Sequence, residues 1–425
     1  MELRIGRKWR EGGRVGIVCP MSKDVYLKKV ISFKHRGKTL RFAVSQDLFS
    51  SFQVDTGTRF LLRTVMPSGV HSFEKVLDLG CGYGPLGLAL KSANEAAVVY
   101  MVDRDALAVE FSRRNAELNG LSGIQAYGSL GYDDVRETDF DLIISNIPGK
   151  AGEPVIRHFL TDARYFLGPG GLVAVVVVGA IESMVKNILE NTPGIAVTFR
   201  QARSGHVVFH YRFDGESGGG PYLKGFERGI YDRNDQSFHH HDMIYPMRTA
   251  RGLPEFNSLN FRTGLLLEGL HDIERESRRR TVVINPGQGH VPAVIWRLLR
   301  PDSIALVDRD LLSLRCSREN LFLNGCTEEH VVLEHAAGFP TNGGEPADLI
   351  AGILREDEGP GAVFETVKNA AGCLAPEGLM VLAAGSTAIT RLIKKIKEEI
   401  RLEVVERTKR RGNCLIILRS HSKRD

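Results

Sequence analysis

The sequence predicts an α/β protein built from two tandem doubly wound domains, the second a degenerate copy of the first. Three observations carry this. The string "VDRDALAVEFSRRNAELNG" at 102–120 returns as "VDRDLLSLRCSRENLFLNG" at 307–325, matching at 11 of 19 positions with an offset of 205, where chance gives about one match. The echo extends on both sides: "VDTGTRFLL" (54–62) faces "NFRTGLLLE" (260–268), "DFDLIISNIPG" (139–149) faces "PADLIAGILRE" (346–356), and "FLGPGGLVAV" (166–175) faces "CLAPEGLMVL" (373–382). Within each copy, short apolar runs alternate with helical periodicity, as strand-helix-strand units around a parallel sheet require.

The elements follow in order. The runs Val76 to Leu79, Ala97 to Val102, Asp141 to Ser145 and Leu172 to Val178 are predominantly apolar without alternation, which fits strands of a parallel sheet covered on both faces. Between them, Pro85 to Ser92 and Ala106 to Asn119 have helical spacing, and Asn119-Gly120 supplies a stop. "HVVFHYRF" (206–213) and "NCLIILRS" (413–420) alternate more and are expected to pair antiparallel near the edge of each sheet. The join is placed in "DGESGGGP" (214–221), rich in Gly, Ser and acids. The expected domains are therefore 1–213 and 222–425, and "YLK" recurs at 26 and 222 as a further echo.

Composition bounds the function. The chain has 425 residues, enough for two cores of about 200 residues. It contains no apolar run of the roughly 18 residues a membrane span needs, and the charged start "MELRIGRKWREGGR" lacks the apolar stretch of a secretory signal. The six cysteines (19, 81, 316, 326, 373 and 414) are scattered without CxxC pairs, which suits a reducing, cytoplasmic setting. Residues 1–41 hold twelve Lys/Arg against three acids. This basic segment of about 50 residues fits a polyanion such as RNA, or simply a solvated surface.

In the first copy, "VLDLGCGYGPLG" (76–87) reads as a strand, a glycine turn and a helix start. Gly80, Gly82 and Gly84 let the backbone turn sharply and approach a ligand, while the helix N-terminus offers N–H groups to an anion. Asp103 ends the next strand and is placed to accept two ribose hydroxyls, with a helix cap as the plainer alternative. Asn146-Ile147-Pro148 closes the fourth strand; an ordinary strand-to-loop turn is the plain alternative there.

"DLGCGYG" followed by Asn-x-Pro resembles class I S-adenosylmethionine-dependent methyltransferases. With "FSSFQVDTGTRFLL" and the duplication, the chain is similar to the small-domain methyltransferases that act on the exocyclic N2 of guanine in ribosomal RNA and pair an active, Rossmann-like domain with a degenerate one. The resemblance implies S-adenosyl-L-methionine as cofactor, with Asp78, Gly80, Cys81, Gly82, Gly84, Asp103, Arg104, Ser129 and Asn146 around it. Asp78 would lie beside the methionine amino group. It also implies that Asn146, Ile147 and Pro148 present acceptors to a target amino group, and that RNA, expected to be ribosomal, is the partner. No metal is implied, and no membrane partner.

The family's Asn-Pro-Pro-aromatic becomes Asn146-Ile147-Pro148-Gly149 here. The missing aromatic removes about 1–3 kcal/mol of base stacking, unless Tyr83, Phe52 or another ring substitutes. Methylation of a protein or small molecule, and a non-catalytic RNA-binding factor, stay open. Phe49, Phe52, Asp55 and Thr56 are candidates to close over the cofactor or to serve the core, and Lys150 to meet a phosphate or solvent. The second copy keeps Gly287, Gly289 and Asp308 but has Val283, Asn285 and Ile353-Leu354-Arg355 where the first has Asp78, Gly80 and Asn146-Ile147-Pro148. It is expected to be catalytically dead. "HHHD" (239–242) is expected in a polar loop of an inserted stretch of about 11 residues, since adjacent histidines converge poorly on one ion. The basic C-terminal stretch from "RTKRRGNC" could add an RNA contact or keep the end solvated.

Overall fold

A computed structural model describes residues 24–48, 52–65, 73–215, 221–271, 273, 279–340 and 345–420. The basic residues up to Lys23, together with Cys19, Phe49, most of the glycine-rich join (216–220) and the last five residues, lie outside them.

The first copy opens with a hairpin, β1 (Leu27–His35) and β2 (Lys38–Ser45), and a helix, α1 (Thr56–Val65). Then follow β3 (Lys75–Leu79), α2 (Pro85–Ala93), β4 (Val98–Asp103), α3 (Ala106–Leu118), β5 (Ile124–Gly128), β6 (Phe140–Asn146), α4 (Glu153–Thr161), β7 (Leu167–Val178), α5 (Glu182–Glu190), β8 (Ile195–Arg203) and β9 (His206–Phe213). These strands form one seven-stranded sheet, ordered β5-β4-β3-β6-β7-β9-β8. The first five are parallel, and β9 runs antiparallel to both β7 and β8. Leu77, Ile143, Val173 and Val175 pack on one face, while Val76, Leu142, Ile144 and Ala174 pack on the other. That two-sided burial explains the unalternating apolar runs.

The second copy repeats this order: β10 (Asp232–His240), β11 (Met243–Ala250), α6 (Phe261–His271), β12 (Arg280–Ile284), α7 (His290–Leu299), β13 (Ser303–Asp308), α8 (Leu311–Leu323), β14 (Val331–His335), β15 (Ala347–Ile353), α9 (Pro360–Gly372), β16 (Leu374–Gly385), α10 (Ser386–Glu399), β17 (Leu402–Arg410) and β18 (Asn413–Ser420). Its sheet order, β14-β13-β12-β15-β16-β18-β17, matches strand for strand. Even the fastening of the hairpin recurs. In the first copy the Asn115 amide exchanges hydrogen bonds with the N–H and C=O of Ala43 (2.7 and 3.0 Å). In the second, Asn320 does the same with Arg248 (2.7 and 2.8 Å).

This register corrects one expectation. The 239–242 tetrapeptide is not inserted: β10 and β11 stand 205 residues after β1 and β2, so His239 and His240 end a strand and His241-Asp242 form its turn. Tyr222 is likewise not the counterpart of Tyr26. The stretch from Tyr222 to Tyr231 packs on the first copy, where the Asp133 carboxylate accepts from the Tyr222 hydroxyl (2.9 Å) and from the N–H groups of Gly225 and Phe226 (2.6 and 3.0 Å).

The duplicated "VDRD" segments meet each other. Ala106 N–H donates to the Arg309 carbonyl (2.7 Å), and Leu311 N–H donates to the Arg104 carbonyl (3.0 Å), with Asp105 and Asp310 forming an antiparallel bridge between them. Side chains repeat the exchange: Arg309 pairs with Asp105 (2.5 Å), and Arg104 with Asp310 (3.1 Å). A self-complementary contact of this kind has the logic of a twofold dimer interface, realised within one chain.

Candidate active site

The sheet order reverses between β3 and β6, where doubly wound sheets open a crevice at the carboxyl ends of their strands. Four sequence-predicted segments converge there: the glycine turn after β3, Asp103 at the end of β4, Ser129 after β5 and Asn146 at the end of β6.

The turn is held from behind. Gly80 and Cys81 N–H groups donate to the Val102 carbonyl (2.8 and 3.0 Å), and Gly82 N–H donates to the Asp103 carboxylate (2.9 Å). Gly80 and Gly82 have φ of +74° and +57°, and a Cβ at either would meet no atom within 4 Å. Left-handed backbone beside open space suits a ligand lying against the main chain. Gly84, at φ +89°, starts α2; as a glycine it supplies no side-chain cap, and Asp78 from β3 takes the Gly87 N–H of the first turn instead. Cys81 is buried, its thiol against Ser112.

Asp78 is fully buried below this turn. Its Oδ2 accepts from Gly87 N–H (2.8 Å), whereas its Oδ1 has no partner among the described residues. Burial pushes its carboxyl up to about 7. Burial, followed by the charge of Asp105, likewise raises Asp103 to about 6. Asp105 performs the capping: its Oδ1 accepts from Leu107 N–H (3.0 Å) at the start of α3. The Asp103 carboxylate is thus free of that duty. Ser129 is buried beside it, its N–H on the Asp103 carbonyl (2.9 Å) and its hydroxyl on Gly131.

Asn146 is oriented by α1. Asp55 caps that helix by accepting from Gly57 and Thr58 N–H (2.9 and 3.2 Å), and the Asn146 amide nitrogen donates to both Asp55 Oδ2 and Thr58 Oγ1 at 3.1 Å. With the nitrogen committed, Oδ1 has no hydrogen-bond partner among the described residues; neither does the Ile147 carbonyl next to it. The Ile147 side chain is in the core, its N–H on Val176, so its backbone alone can serve the site. Pro148 is exposed, and its carbonyl closes the following turn onto Ala151 N–H (3.0 Å).

Other predicted residues fall differently. The Arg104 side chain is turned away to Asp310 and the Gly252 carbonyl, which assigns it to the contact between the copies. Tyr83 is only 2% exposed and packs edge-on to Phe42, so it presents no face for stacking. Phe52 is 71% exposed, with Lys28 and Lys29 ammonium groups 3.8 and 4.8 Å from its ring centre. Lys150 is exposed. The Asp55–Thr58 clamp on Asn146 is not anticipated from sequence; its only local signal is the Asp-x-x-Thr spacing of a helix start.

In the second copy the same crevice is closed by its own side chains. Arg355, at the position of Pro148, donates to Asn285 Oδ1 (3.0 Å) and pairs with buried Asp308, while Asn285 also donates to the Ile353 carbonyl (2.7 Å). A cavity of about 20 Å³ is left among these residues, about enough for one water. Asp308 persists, but its carboxylate is taken by Arg355 and Ser313.

The open glycine turn, the Asp103 carboxylate and the orphan oxygen of Asp78 fit a ligand that carries a diol and an ammonium group, as S-adenosylmethionine does. The methyltransferase small domain matches residues 39–203. The YbxB protein of Bacillus subtilis is 33% identical over 157 residues, which is 35% of this chain and 74% of that protein. Ribosomal RNA small subunit methyltransferase C of Haemophilus influenzae is 34% identical over 161 residues, 35% of this chain and 47% of the relative. Against these ribosomal RNA methyltransferases the chain therefore spans less than half of the relative's length. In fold, the chain is similar to the 16S rRNA N2 methyltransferase of T. thermophilus, solved with AdoMet and guanosine, at a TM-score of 0.64 and 18% identity over 93% of this chain and 99% of that one. Among the described residues no helix is long and apolar enough to cross a membrane. The chain belongs to the methyltransferase small-domain family of class I S-adenosylmethionine-dependent methyltransferases.

Proposed function

We propose that the first copy transfers a methyl group to the exocyclic amino nitrogen of an RNA base, guanine N2 in ribosomal RNA. The carrying observation is the committed Asn146 amide, which leaves its Oδ1 and the Ile147 carbonyl as adjacent acceptors. Two acceptors match the two hydrogens of an amino group and turn the nitrogen's lone pair toward the glycine turn. Catalysis is then placement and electrostatics. The glycine turn, Asp103 and Asp78 would hold S-adenosylmethionine, which would supply a methyl carried on a sulfonium, and the target nitrogen held by Asn146 Oδ1 and the Ile147 carbonyl would give up one proton to water.

RNA as the substrate is supported by exposed Phe52 with the Lys28 and Lys29 ammonium groups at its ring, an aromatic and cationic surface of the kind nucleic acid takes. A side chain at Gly149 would press on Val178, whose Cγ2 lies 3.0 Å from where its Cβ would stand. Lys28, Lys29, Lys34 and Arg36 on the first hairpin extend the basic surface. The names of the relatives, ribosomal RNA methyltransferases of both subunits, point the same way.

The test is transfer of labelled methyl to ribosomal RNA from a strain lacking the protein. N2-methylguanosine in the digest supports the proposal. Label in protein or small molecules but not in RNA would reject it.

A further inference from the structure

We propose that the second copy holds a divalent transition-metal ion, of the zinc type, between the turn of the β10–β11 hairpin and the end of α6, ligated by His240, His241 and His271. The three side chains each bring a ligand atom within 4.8 Å of the other two. Sequence adjacency alone suggests poor convergence, but the third ligand comes from a helix 30 residues further on, opposite the turn. The rings of His241 and His271 lie 4.2 Å apart and that of His240 5.7 Å from His271.

A second observation points to a ligand. His240 is only 6% exposed, yet its Nε2 is buried with no hydrogen-bond partner among the described residues. A buried imidazole nitrogen left unpaired is costly, and an ion satisfies it. Glu268 stands one helical turn before His271 and takes the Nε2 of His241 at 3.0 Å. Such a carboxylate fixes a histidine's orientation and leaves its other nitrogen for metal. Ligand atoms on one tetrahedral ion lie about 3.3 Å apart, so the exposed His241 and His271 need only small rotations to close the set.

The site is no general property of the fold. At the matching positions the first copy keeps His35, whose Nε2 is likewise buried without a partner among the described residues, but has Arg36 and Met66 in place of the other two imidazoles, so the convergent ligand set belongs to the second copy alone. The ion would tie a hairpin tip to a helix end in the copy that has lost its ligand crevice, a stabilising role separate from methyl transfer.

The test is titration of the chelator-treated full chain with Zn²⁺ against a chromogenic competitor, with thermal unfolding measured in parallel. The expected result is one equivalent bound, tighter than roughly 1 µM, with a rise in Tm. The double variant His241→Ala/His271→Ala, both at exposed positions, should bind at least tenfold more weakly and show no rise. Absence of binding by the wild type would overturn the proposal, as would undiminished binding by the double variant, which would place the ion on other side chains.

Discussion

The two copies fold alike and differ at one crevice. In the first, the residue ending the fourth strand is Asn146, pulled aside by Asp55 and Thr58, and the glycine turn faces open space. In the second, Arg355 reaches back over the turn to Asp308, with Asn285 bridging it to the strand end. Two replacements, Asn285 for Gly80 and Arg355 for Pro148, thus convert a ligand crevice into an ion-paired plug while the sheet register is kept. A nucleoside-type acid at the end of the second parallel strand is therefore not sufficient for a site. What lies opposite it decides whether it meets a ligand or a guanidinium.

Asn146→Ala is the most damaging way to probe the contrast. It removes an acceptor that acts on the target but leaves the turn and Asp103 intact, so methyl transfer should fall by about 10²–10³-fold with cofactor affinity little changed. Single-turnover assays beside equilibrium binding check this; parallel loss of both would mean that Asn146 serves the cofactor alone.

Arg355→Ala attacks the other side. It strips the partner from buried Asp308 and should destabilise the protein by about 3 kcal/mol, read by urea unfolding. It should not create a second cofactor site, because Val283 and Asn285 remain.

The contact between the copies allows a finer test. Arg309 is 5% exposed in its side chain and meets Asp105, Asp47 and Glu358, whereas Arg104 is 38% exposed and has one ion-pair partner among the described residues, Asp310. Arg309→Ala should therefore cost about 3 kcal/mol and Arg104→Ala less than about 1 kcal/mol. Equal costs would show that the two reciprocal pairs are equivalent in energy as well as in position.

A further test is in pH. Burial holds the Asp78 and Asp103 carboxyls up, at about 7 and about 6. Because these folded-state values lie above those of the unfolded chain, both groups favour the folded state at low pH, and that contribution is lost as pH rises from about 4 toward 7. Cofactor binding needs the carboxylates and runs oppositely. Affinity should be level above about pH 8 and weaken as pH falls through 7 and 6, and Asp103→Asn should flatten the lower part of that profile.

Much of this was legible in the sequence because it rests on local rules. The repeat, the unalternating strands and the glycine turn each follow from residue types at fixed spacing. The four strands expected in the first copy all form, Pro85 and Ala106 begin helices, and "HVVFHYRF" runs antiparallel next to the edge strand. What escaped depends on distant partners. Nothing near Asn146 announces that Asp55, 91 residues earlier, orients its amide. Arg355 stands in the sequence only as the replacement for Pro148, and its pairing with Asp308, 47 residues earlier, is a matter of the fold. The hairpins were hidden because their strands, of mixed polar and apolar residues, are fastened by Asn115 and Asn320, each 72 residues downstream of the backbone it holds.

Calorimetric titration of the full chain with S-adenosylmethionine asks whether one crevice is open and the other plugged. One equivalent should bind, weakened about 10–100-fold by Asp103→Ala and unaltered by Asp308→Asn. Two equivalents, or binding that survives loss of Asp103 and fails with Asp308, would contradict the division of labour between the copies.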